Sequence, residues 1–195
     1  IDEYLQYIAE RELRDAVVRN RAAGGTVLIM SPRTGEILAL ANEPTFNPNS
    51  FSTASPEHRR EIALIGNRAV QDIFEPGSTF KVVTVAAALE ENLMPVDAII
   101  DTNPGTIRFA GRVIDEYGGK NLGPLSLADV IVKSSNVGAV KIGLKLGAER
   151  FGLYAARFGF GKPTSPDFPS ESPGILWPPS KLNDSGVASM AMGYQ

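Results

Sequence analysis

The sequence contains no cysteine and only one histidine, His58. Without a thiol, a cysteine nucleophile and a thiolate metal site are both excluded. A Ser-His-Asp triad or a histidine-based zinc site would depend on His58, which lies in a charged run typical of a solvated helix start. Neither a Gly-x-Ser-x-Gly motif nor a glycine-rich phosphate loop occurs in the sequence. We therefore predict no metal and no cofactor.

Positive charge and long apolar runs are also scarce. The chain has 19 Lys and Arg against 22 Asp and Glu, with a formal net charge of −3 at pH 7. Because no basic cluster could displace phosphate counterions, we predict no nucleic-acid partner. No apolar run reaches the roughly 18 residues that a membrane span needs, and no signal peptide is evident. The chain begins at Ile1 rather than Met, and we expect it to be part of a longer protein.

A hydrophobic composition of 43% over 195 residues is sufficient for a substantial core. The helical spacing of apolar residues predicts an amphipathic helix over 1–22. Two apolar runs, 26–30 and 36–40, flank a turn and predict an antiparallel hairpin covered on both faces. A short helix near 56–65 and a loop over 67–77 are expected next.

The rest of the sequence alternates helical runs with connections rich in glycine and proline. Residues 95–124 predict short extended pieces such as 106–109, and 161–180 predict a long surface loop. The predicted helices are 79–92, 126–133 (opened by a capping box), 137–146, 151–158, and a last one capped by Asn183 and Asp184.

The stretch 74–81 combines a chain break with a reactive pair. Pro76 and Gly77 precede a helix-forming run, so Ser78 is predicted at a helix N-terminus, where free N–H groups favour an oxyanion. Lys81 follows three residues later on the same helix face. If that face is partly buried, desolvation lowers the pKa of Lys81 and its neutral amine becomes a usable base.

A structural alternative exists, because Ser-x-x-Lys is a short pattern and serine is a common helix cap. In the catalytic interpretation, Lys81→Ala abolishes acylation of Ser78. Little stability should be lost, since a surface lysine seldom contributes more than about 0.5 kcal/mol. The surrounding sequence has to decide between the two.

A second polar motif, Ser134-Ser135-Asn136, lies between two predicted helices. Alone, it is compatible with a polar turn. Together with Ser78 and Lys81 it resembles the first two active-site motifs of penicillin-recognising serine enzymes, which are the penicillin-binding proteins and the serine β-lactamases.

The resemblance extends over the whole chain and is strongest to the class B penicillin-binding proteins. Ser-Ser-Asn followed by Val-Gly is similar to the septal and sporulation branch, whereas the elongation branch usually has Cys-Asp in this motif. The resemblance implies an α+β fold of the penicillin-binding protein and serine β-lactamase type, with an antiparallel sheet flanked by helices and a helical subdomain. It rests on segments 34–42, 46–49, 67–69, 74–81, 133–138 and 192–195.

The family's third motif, Lys-Thr/Ser-Gly, is not found after Asn136. Arg33-Thr34-Gly35 imitates it but precedes Ser78, and the Lys-x-Gly triplets at 141–143 and 145–147 lack the hydroxyl residue.

We therefore interpret 1–195 as the front part of a transpeptidase domain, incomplete and helix-rich. Residues 1–42 would form the first helix and hairpin, and 43–195 a mainly helical subdomain. On this interpretation the 195-residue chain alone is expected to be inactive.

The resemblance implies a peptidoglycan D,D-transpeptidase that attacks the penultimate D-Ala carbonyl of a stem peptide. Ser78 would be the nucleophile and Lys81 the base. Ser134 would relay a proton to the leaving group, while Asn136, with its neighbour Ser135, would bind the substrate. β-Lactam antibiotics would acylate Ser78 as mimics of D-Ala-D-Ala.

Partners and location are implied in the same way. They are peptidoglycan stem peptides, β-lactams and divisome proteins, at the extracytoplasmic face of the membrane. A transmembrane helix outside this sequence would anchor the protein during septal cell-wall synthesis. The sequence does not distinguish a septal from a sporulation role.

Two other functions remain compatible with the motifs. A serine β-lactamase or penicillin sensor would share both, and Glu171 is then the one candidate for a deacylating base. A non-catalytic divisome module is the other. Continuous nitrocefin turnover would identify the first, and an unchanged division phenotype of Ser78→Ala the second.

Overall fold

The chain forms two compact units in its computed structural model. The model describes residues 1–47, 49, 53–59, 66–165 and 168–194. The first unit comprises 1–73 and 165–172, and the second comprises 74–164 and 173–195. None of the helices within the described ranges is long and apolar enough to cross a membrane.

The first unit is a helix on a two-stranded hairpin. Helix α1 (Glu3–Asn20) begins where the Asp2 side chain accepts a hydrogen bond from the Leu5 N–H. The helix is terminated by Arg21, the residue after it, whose φ is 50°. Strands β1 (Gly25–Met30) and β2 (Ile37–Glu43) pair antiparallel. The helix and the hairpin predicted from the sequence are both confirmed.

One face of the hairpin packs against α1. Ala39 and Ala41 of β2 are buried with Ala9 and Leu13 of the helix. On β1, partly buried and exposed positions alternate, and Leu28 and Met30 are each 47% exposed. The prediction that both strands are covered on two faces is therefore wrong for β1. Successive side chains point to opposite faces, and an apolar run does not reveal whether a second layer is present.

Asn42 on β2 ties a later segment to the hairpin. Its Nδ2 donates to Asn67 Oδ1 at 3.0 Å, and its Oδ1 accepts from the Ala69 N–H at 3.1 Å. A short helix, α2 (Arg68–Gln71), lies inside the stretch predicted as a loop. The first unit therefore continues to Ile73.

The helix predicted near 56–65 can be followed only in part. It is helical over 56–59, and residues 60–65 lie outside the described residues.

Four helices dominate the second unit. A 3₁₀ turn, Gly77–Phe80, leads into α3 (Lys81–Glu90), and α4 (Leu127–Val132) follows later. The predicted capping box is present, because Ser126 and Asp129 bond each other's backbone N–H groups.

The last two helices also agree with prediction. Helix α5 (Asn136–Arg157) is interrupted at Gly147, with φ 76° and ψ 163°, where the sequence predicts the end of one helix. Helix α6 (Asp184–Ala191) is capped by Asn183, as predicted.

Two small antiparallel pairs complete this unit. Strand β3 (Ile99–Asp101) pairs with β6 (Pro124–Ser126), and β4 (Thr106–Phe109) pairs with β5 (Arg112–Asp115). The sequence predicted the extended piece at 106–109 but none of these pairings. Strand β5 leads directly into Glu116, which is buried.

Helix α3 lies between two hydrophobic clusters. Phe80, Val83 and Ala87 belong to one cluster with residues of α5 and α6, while Val85 and Ala88 belong to another with residues of α4, β3 and β6. Because both sides of α3 are covered, two of its polar residues, Lys81 and Thr84, are buried as well. Thr84 Oγ1 donates to the Ala191 carbonyl at 3.0 Å, and Lys81 also needs partners.

Candidate active site

Ser78 lies in the 3₁₀ turn that precedes α3, and it is exposed. A 3₁₀ helix has three residues per turn, so side chains three apart eclipse each other. Ser78 and Lys81 therefore stack on one face. Phe80 anchors the turn in the core, with its ring centroid 5.9 Å from that of Phe151 and 5.0 Å from that of Phe160.

The start of this turn is held against the segment that follows α6. The Gly77 N–H donates to the Gly193 carbonyl at 3.0 Å. A Cβ added to Gly193, whose φ is 88°, would lie 1.9 Å from the Gly77 carbonyl oxygen. Only glycine permits this close approach. The contact fixes the backbone immediately before Ser78.

Lys81 is 1% exposed and binds the second predicted motif. Its Nζ donates to the Ser134 carbonyl at 2.6 Å, to Ser134 Oγ at 3.2 Å and to Asn136 Oδ1 at 2.8 Å. The fold thus brings Lys81, Ser134 and Asn136 into direct contact. The expectation that Lys81 is a surface lysine is wrong, because α3 is covered on both sides.

Burial has a direct effect on the chemistry of Lys81. Desolvation lowers the pKa of Lys81 from its ordinary 10.5 to about 8, and the attraction of Glu116 opposes this decrease. With a pKa of about 8, roughly a tenth of the amine is neutral at pH 7. A lysine in this state can accept a proton near neutral pH.

The Ser134–Asn136 motif is the turn between α4 and α5. Ser134 takes the left-handed conformation, with φ 54°. The Ser135 N–H bonds the Val130 carbonyl and the Ser134 N–H bonds the Ile131 carbonyl, which is a Schellman arrangement with serine in place of the usual glycine. This turn directs both the carbonyl and the hydroxyl of Ser134 to Lys81.

Ser135, which the resemblance implies as a substrate-binding neighbour of Asn136, is buried. It is 0% exposed, and its hydroxyl caps α5 by accepting from the Gly138 N–H at 2.9 Å. The same hydroxyl donates to Glu116 Oε1 at 2.5 Å. Because its polar atoms are used inside the protein, we replace the predicted substrate-binding role of Ser135 with a structural one.

Glu116 is the site residue that sequence reasoning missed. It is 3% exposed, and it accepts hydrogen bonds from Ser135 and from the N–H groups of Asn136 and Val137. No local pattern marks it, because its partners in the turn, Ser135, Asn136 and Val137, lie 19, 20 and 21 residues away in the sequence. A buried acid has no signature in a single sequence without its partner.

A cavity of about 410 Å³ is lined by Ser78, Ser134, Asn136 and Glu116. The Ser78 hydroxyl makes no side-chain hydrogen bond within the described part of the chain, and it faces this cavity together with Ser134 and Asn136. The remaining lining residues are Tyr117, Lys120, Leu122, Lys133 and Tyr194. The arrangement places the Ser78 hydroxyl, the Ser134 hydroxyl and the Asn136 amide around one space, and Lys81 binds the last two from outside the lining.

Glu171, the other acid considered from the sequence, is a residue of the first unit. Its Oε2 accepts a hydrogen bond from the Ser165 N–H at 3.2 Å.

Comparison with known proteins agrees with this geometry. The sequence model described as the penicillin binding protein transpeptidase domain matches residues 25–195. The chain belongs to the penicillin-binding protein transpeptidase family. The resemblance and the fold class predicted from the sequence are thereby confirmed.

Several members of the family are similar over the full chain. A probable peptidoglycan D,D-transpeptidase, PbpC, of Pseudomonas aeruginosa is 34% identical, and peptidoglycan D,D-transpeptidase FtsI of Escherichia coli is 35% identical. All of this chain is matched, but it covers only 33% and 31% of those two proteins. The chain thus spans about a third of the length of these curated relatives.

Solved structures show the same fold. The transpeptidase domain of penicillin-binding protein 3 from Burkholderia pseudomallei, in its apo form, has a TM-score of 0.83 and 30% identity over all of this chain and 52% of that one. A structure described as a peptidoglycan glycosyltransferase from Burkholderia ambifaria has a TM-score of 0.84 and 32% identity, and 55% of it is covered.

Proposed function

We propose that this chain carries the nucleophile, the base and the proton relay of a peptidoglycan D,D-transpeptidase. One observation carries the proposal. A lysine that is almost fully buried, with a pKa near 8, lies one turn from the exposed Ser78 and binds Ser134 and Asn136. The names of the relatives support peptidoglycan as the substrate.

Acylation begins with the neutral form of Lys81. Its amine takes the proton of Ser78 Oγ while that oxygen attacks the penultimate D-Ala carbonyl of a stem peptide. The oxyanion is stabilised at the helix start, where the Ser78 N–H forms one arm of the oxyanion hole. Asn136 hydrogen-bonds the substrate amide.

Collapse of the tetrahedral intermediate breaks the C–N bond to the terminal D-Ala. The leaving nitrogen takes a proton from Ser134 Oγ, which recovers it from the Lys81 ammonium along their hydrogen bond. The products are free D-Ala, neutral Lys81 and an acyl-enzyme on Ser78. Ser134 therefore acts as a relay rather than as a base.

Transfer reverses the proton path. The amine of a second stem peptide attacks the acyl-enzyme, loses its proton through Ser134 to Lys81, and Ser78 regains its proton as the cross-link forms. A β-lactam enters by the same attack, but its leaving nitrogen stays tethered to the acyl group. The acyl-enzyme then persists, which makes β-lactams covalent inhibitors.

A septal role is the finer part of this proposal. Its support is the similarity to FtsI and the Val137-Gly138 pair that follows the second motif. Since peptidoglycan is assembled outside the cytoplasmic membrane, we place the active site at the extracytoplasmic face. Membrane anchoring and divisome proteins as partners belong to the same proposal.

Labelling with a fluorescent penicillin tests the assignment. The intact protein is labelled, digested and analysed by mass spectrometry, and the adduct is expected on the peptide that contains Ser78. Ser78→Ala should remove it, while Ser180→Ala, which deletes another exposed hydroxyl of the same unit, should not. An adduct on Ser134 would contradict the assignment, and continuous nitrocefin turnover would indicate a β-lactamase instead.

A further inference from the structure

A buried carboxylate holds the turn that carries Ser134 and Asn136. Glu116 Oε2 accepts the Asn136 N–H at 2.6 Å, and Oε1 accepts the Ser135 hydroxyl at 2.5 Å and the Val137 N–H at 3.3 Å. All three partners are donors, so the ionised form of Glu116 satisfies every one of them. The carboxylate also lies at the positive end of the α5 dipole.

The residue before Glu116 binds the same turn. The Asp115 carbonyl accepts a hydrogen bond from Asn136 Nδ2 at 2.9 Å, while Asn136 Oδ1 accepts from Lys81. Asp115 at the end of β5 thus bonds the side chain of Asn136, and Glu116, which follows, bonds its backbone N–H. Lys81 binds the opposite side of the same short turn, at Ser134 and Asn136.

We propose that Glu116 is a positioning residue, which fixes the Ser134–Asn136 turn so that Lys81 is held in register with Ser78. This inference rests on the proposed function. Glu116 faces the cavity beside Ser134 and Asn136, but its oxygens are occupied by the turn, so it does not contact the reacting atoms. Its second effect is electrostatic, because its negative charge favours the ammonium form of Lys81.

Other charged and titratable groups share the cavity. Lys120, Lys133, Tyr117 and Tyr194 line it, and Lys133 is near Asp129 on α4. Each of these groups remains in a Glu116 variant. A change in the titration of Lys81 on substitution of Glu116 is therefore a property of Glu116 itself.

Glu116→Gln is the first variant. The amide keeps the size of the side chain but replaces one acceptor oxygen with an NH₂ group, which faces a donor of the turn. Amide hydrogen exchange of Asn136 and Val137, measured by mass spectrometry of the peptic peptides that cover the turn, should accelerate at least tenfold. The acylation rate should fall by roughly 10- to 100-fold, if the loss is comparable to that of a partner that orients a metal ligand.

The pH profile separates positioning from simple support of the fold. Removing the negative charge disfavours protonated Lys81, so its pKa falls and the rising limb of the acylation profile moves to lower pH. Loss of stability alone would lower the amplitude without moving the midpoint. Asp97→Asn removes an exposed acid of the same unit and serves as the matched control, with an unchanged midpoint.

Glu116→Asp keeps the charge and shortens the reach. The midpoint of its pH profile should stay near that of the wild type. Its amide exchange should lie between those of the wild type and Glu116→Gln, and its acylation rate should fall less than that of Glu116→Gln. If Glu116→Gln does not fold, Glu116→Asp becomes the deciding variant. Amide exchange and an acylation rate equal to those of the wild type in Glu116→Asp would then overturn the proposal. The proposal would also be overturned if Glu116→Gln folds and shows unchanged amide exchange, or if the midpoint of its pH profile does not move. Exchange needs no activity, so absence of a Ser78 adduct in the wild type would refute the proposed function and leave the placement of Glu116 testable.

Discussion

The Nζ atom of Lys81 lies 2.8 Å from Oδ1 of Asn136. This contact fixes which end of the amide faces the lysine, because Nδ2 is at the same time bonded to the Asp115 carbonyl. One lone pair of Oδ1 and one N–H of Nδ2 remain available to a ligand. Asn136 can therefore bind a substrate amide without releasing Lys81.

Asn136→Asp should raise the pKa of Lys81. A carboxylate at this position stabilises the ammonium form, so less neutral amine is available at pH 7, and the donor to the Asp115 carbonyl is lost. We expect acylation at pH 7 to fall on the order of 10²-fold, with the rising limb of the pH profile shifted upward. Penicillin labelling from pH 6 to 10 measures both. Asn20→Asp adds the same charge at an exposed site of the first unit and should change neither, whereas a midpoint that moves downward in Asn136→Asp would contradict the argument.

The wild-type acylation rate should rise with pH through about 8. Below that value Lys81 is protonated and cannot accept the Ser78 proton, and above it the neutral amine predominates. Rates of labelling at a fixed, subsaturating penicillin concentration give the profile. Lys81→Arg should be inactive at every pH, since guanidinium does not deprotonate in proteins. A flat wild-type profile between pH 6 and 9 would exclude Lys81 as the base.

Lys81→Ala should lose both activity and stability. The loss of a base slows acylation by roughly 10²–10⁴-fold. The Ser134 carbonyl and Asn136 Oδ1 each lose a buried donor, which lowers the free energy of unfolding by about 1–3 kcal/mol. Lys145→Ala, at an exposed position of α5, is the control and should stay within about 0.5 kcal/mol of the wild type in thermal denaturation. Equal melting temperatures for the two variants would show that the contacts of Lys81 do not support the fold.

Gly193→Ala should displace the nucleophile. Its Cβ would overlap the Gly77 backbone, which cannot move without shifting Ser78, so we expect at least about 3 kcal/mol of destabilisation and loss of penicillin labelling. Gly111→Ala provides the comparison, because Gly111 also has a positive φ, 77°, but has open space around it. That variant should lose only about 1–2 kcal/mol and keep its activity. If the two variants behave alike, backbone strain rather than the contact with Gly77 explains both.

The parts of the site that follow from local geometry were predictable. Ser78 and Lys81 are three residues apart at a helix start, and Ser134 and Asn136 lie at a turn between two helices. Spacing and capping chemistry made them candidates, and the resemblance to the penicillin-binding proteins selected them. Helix α1, the capping box at Ser126 and the break at Gly147 are local in the same sense.

Features that depend on tertiary packing were not predictable. From the sequence, Lys81 is expected at the surface, but in the structure α3 lies between two hydrophobic clusters. Ser135 is expected to bind substrate, but in the structure its hydroxyl is bonded to Glu116. The exposure of Leu28 and Met30 likewise depends on whether a layer covers them. In each case the deciding partner lies far away in sequence.

The three hydrogen bonds of Lys81 span 53 and 55 residues of chain. Closing loops of this length costs entropy that must be recovered by contacts formed afterwards, whereas α3, α4 and α5 each begin from local interactions. We therefore expect the site to be assembled late in folding and to be the first feature lost when the helices separate. During gradual denaturation, penicillin labelling should disappear while the helical circular dichroism signal is still largely intact.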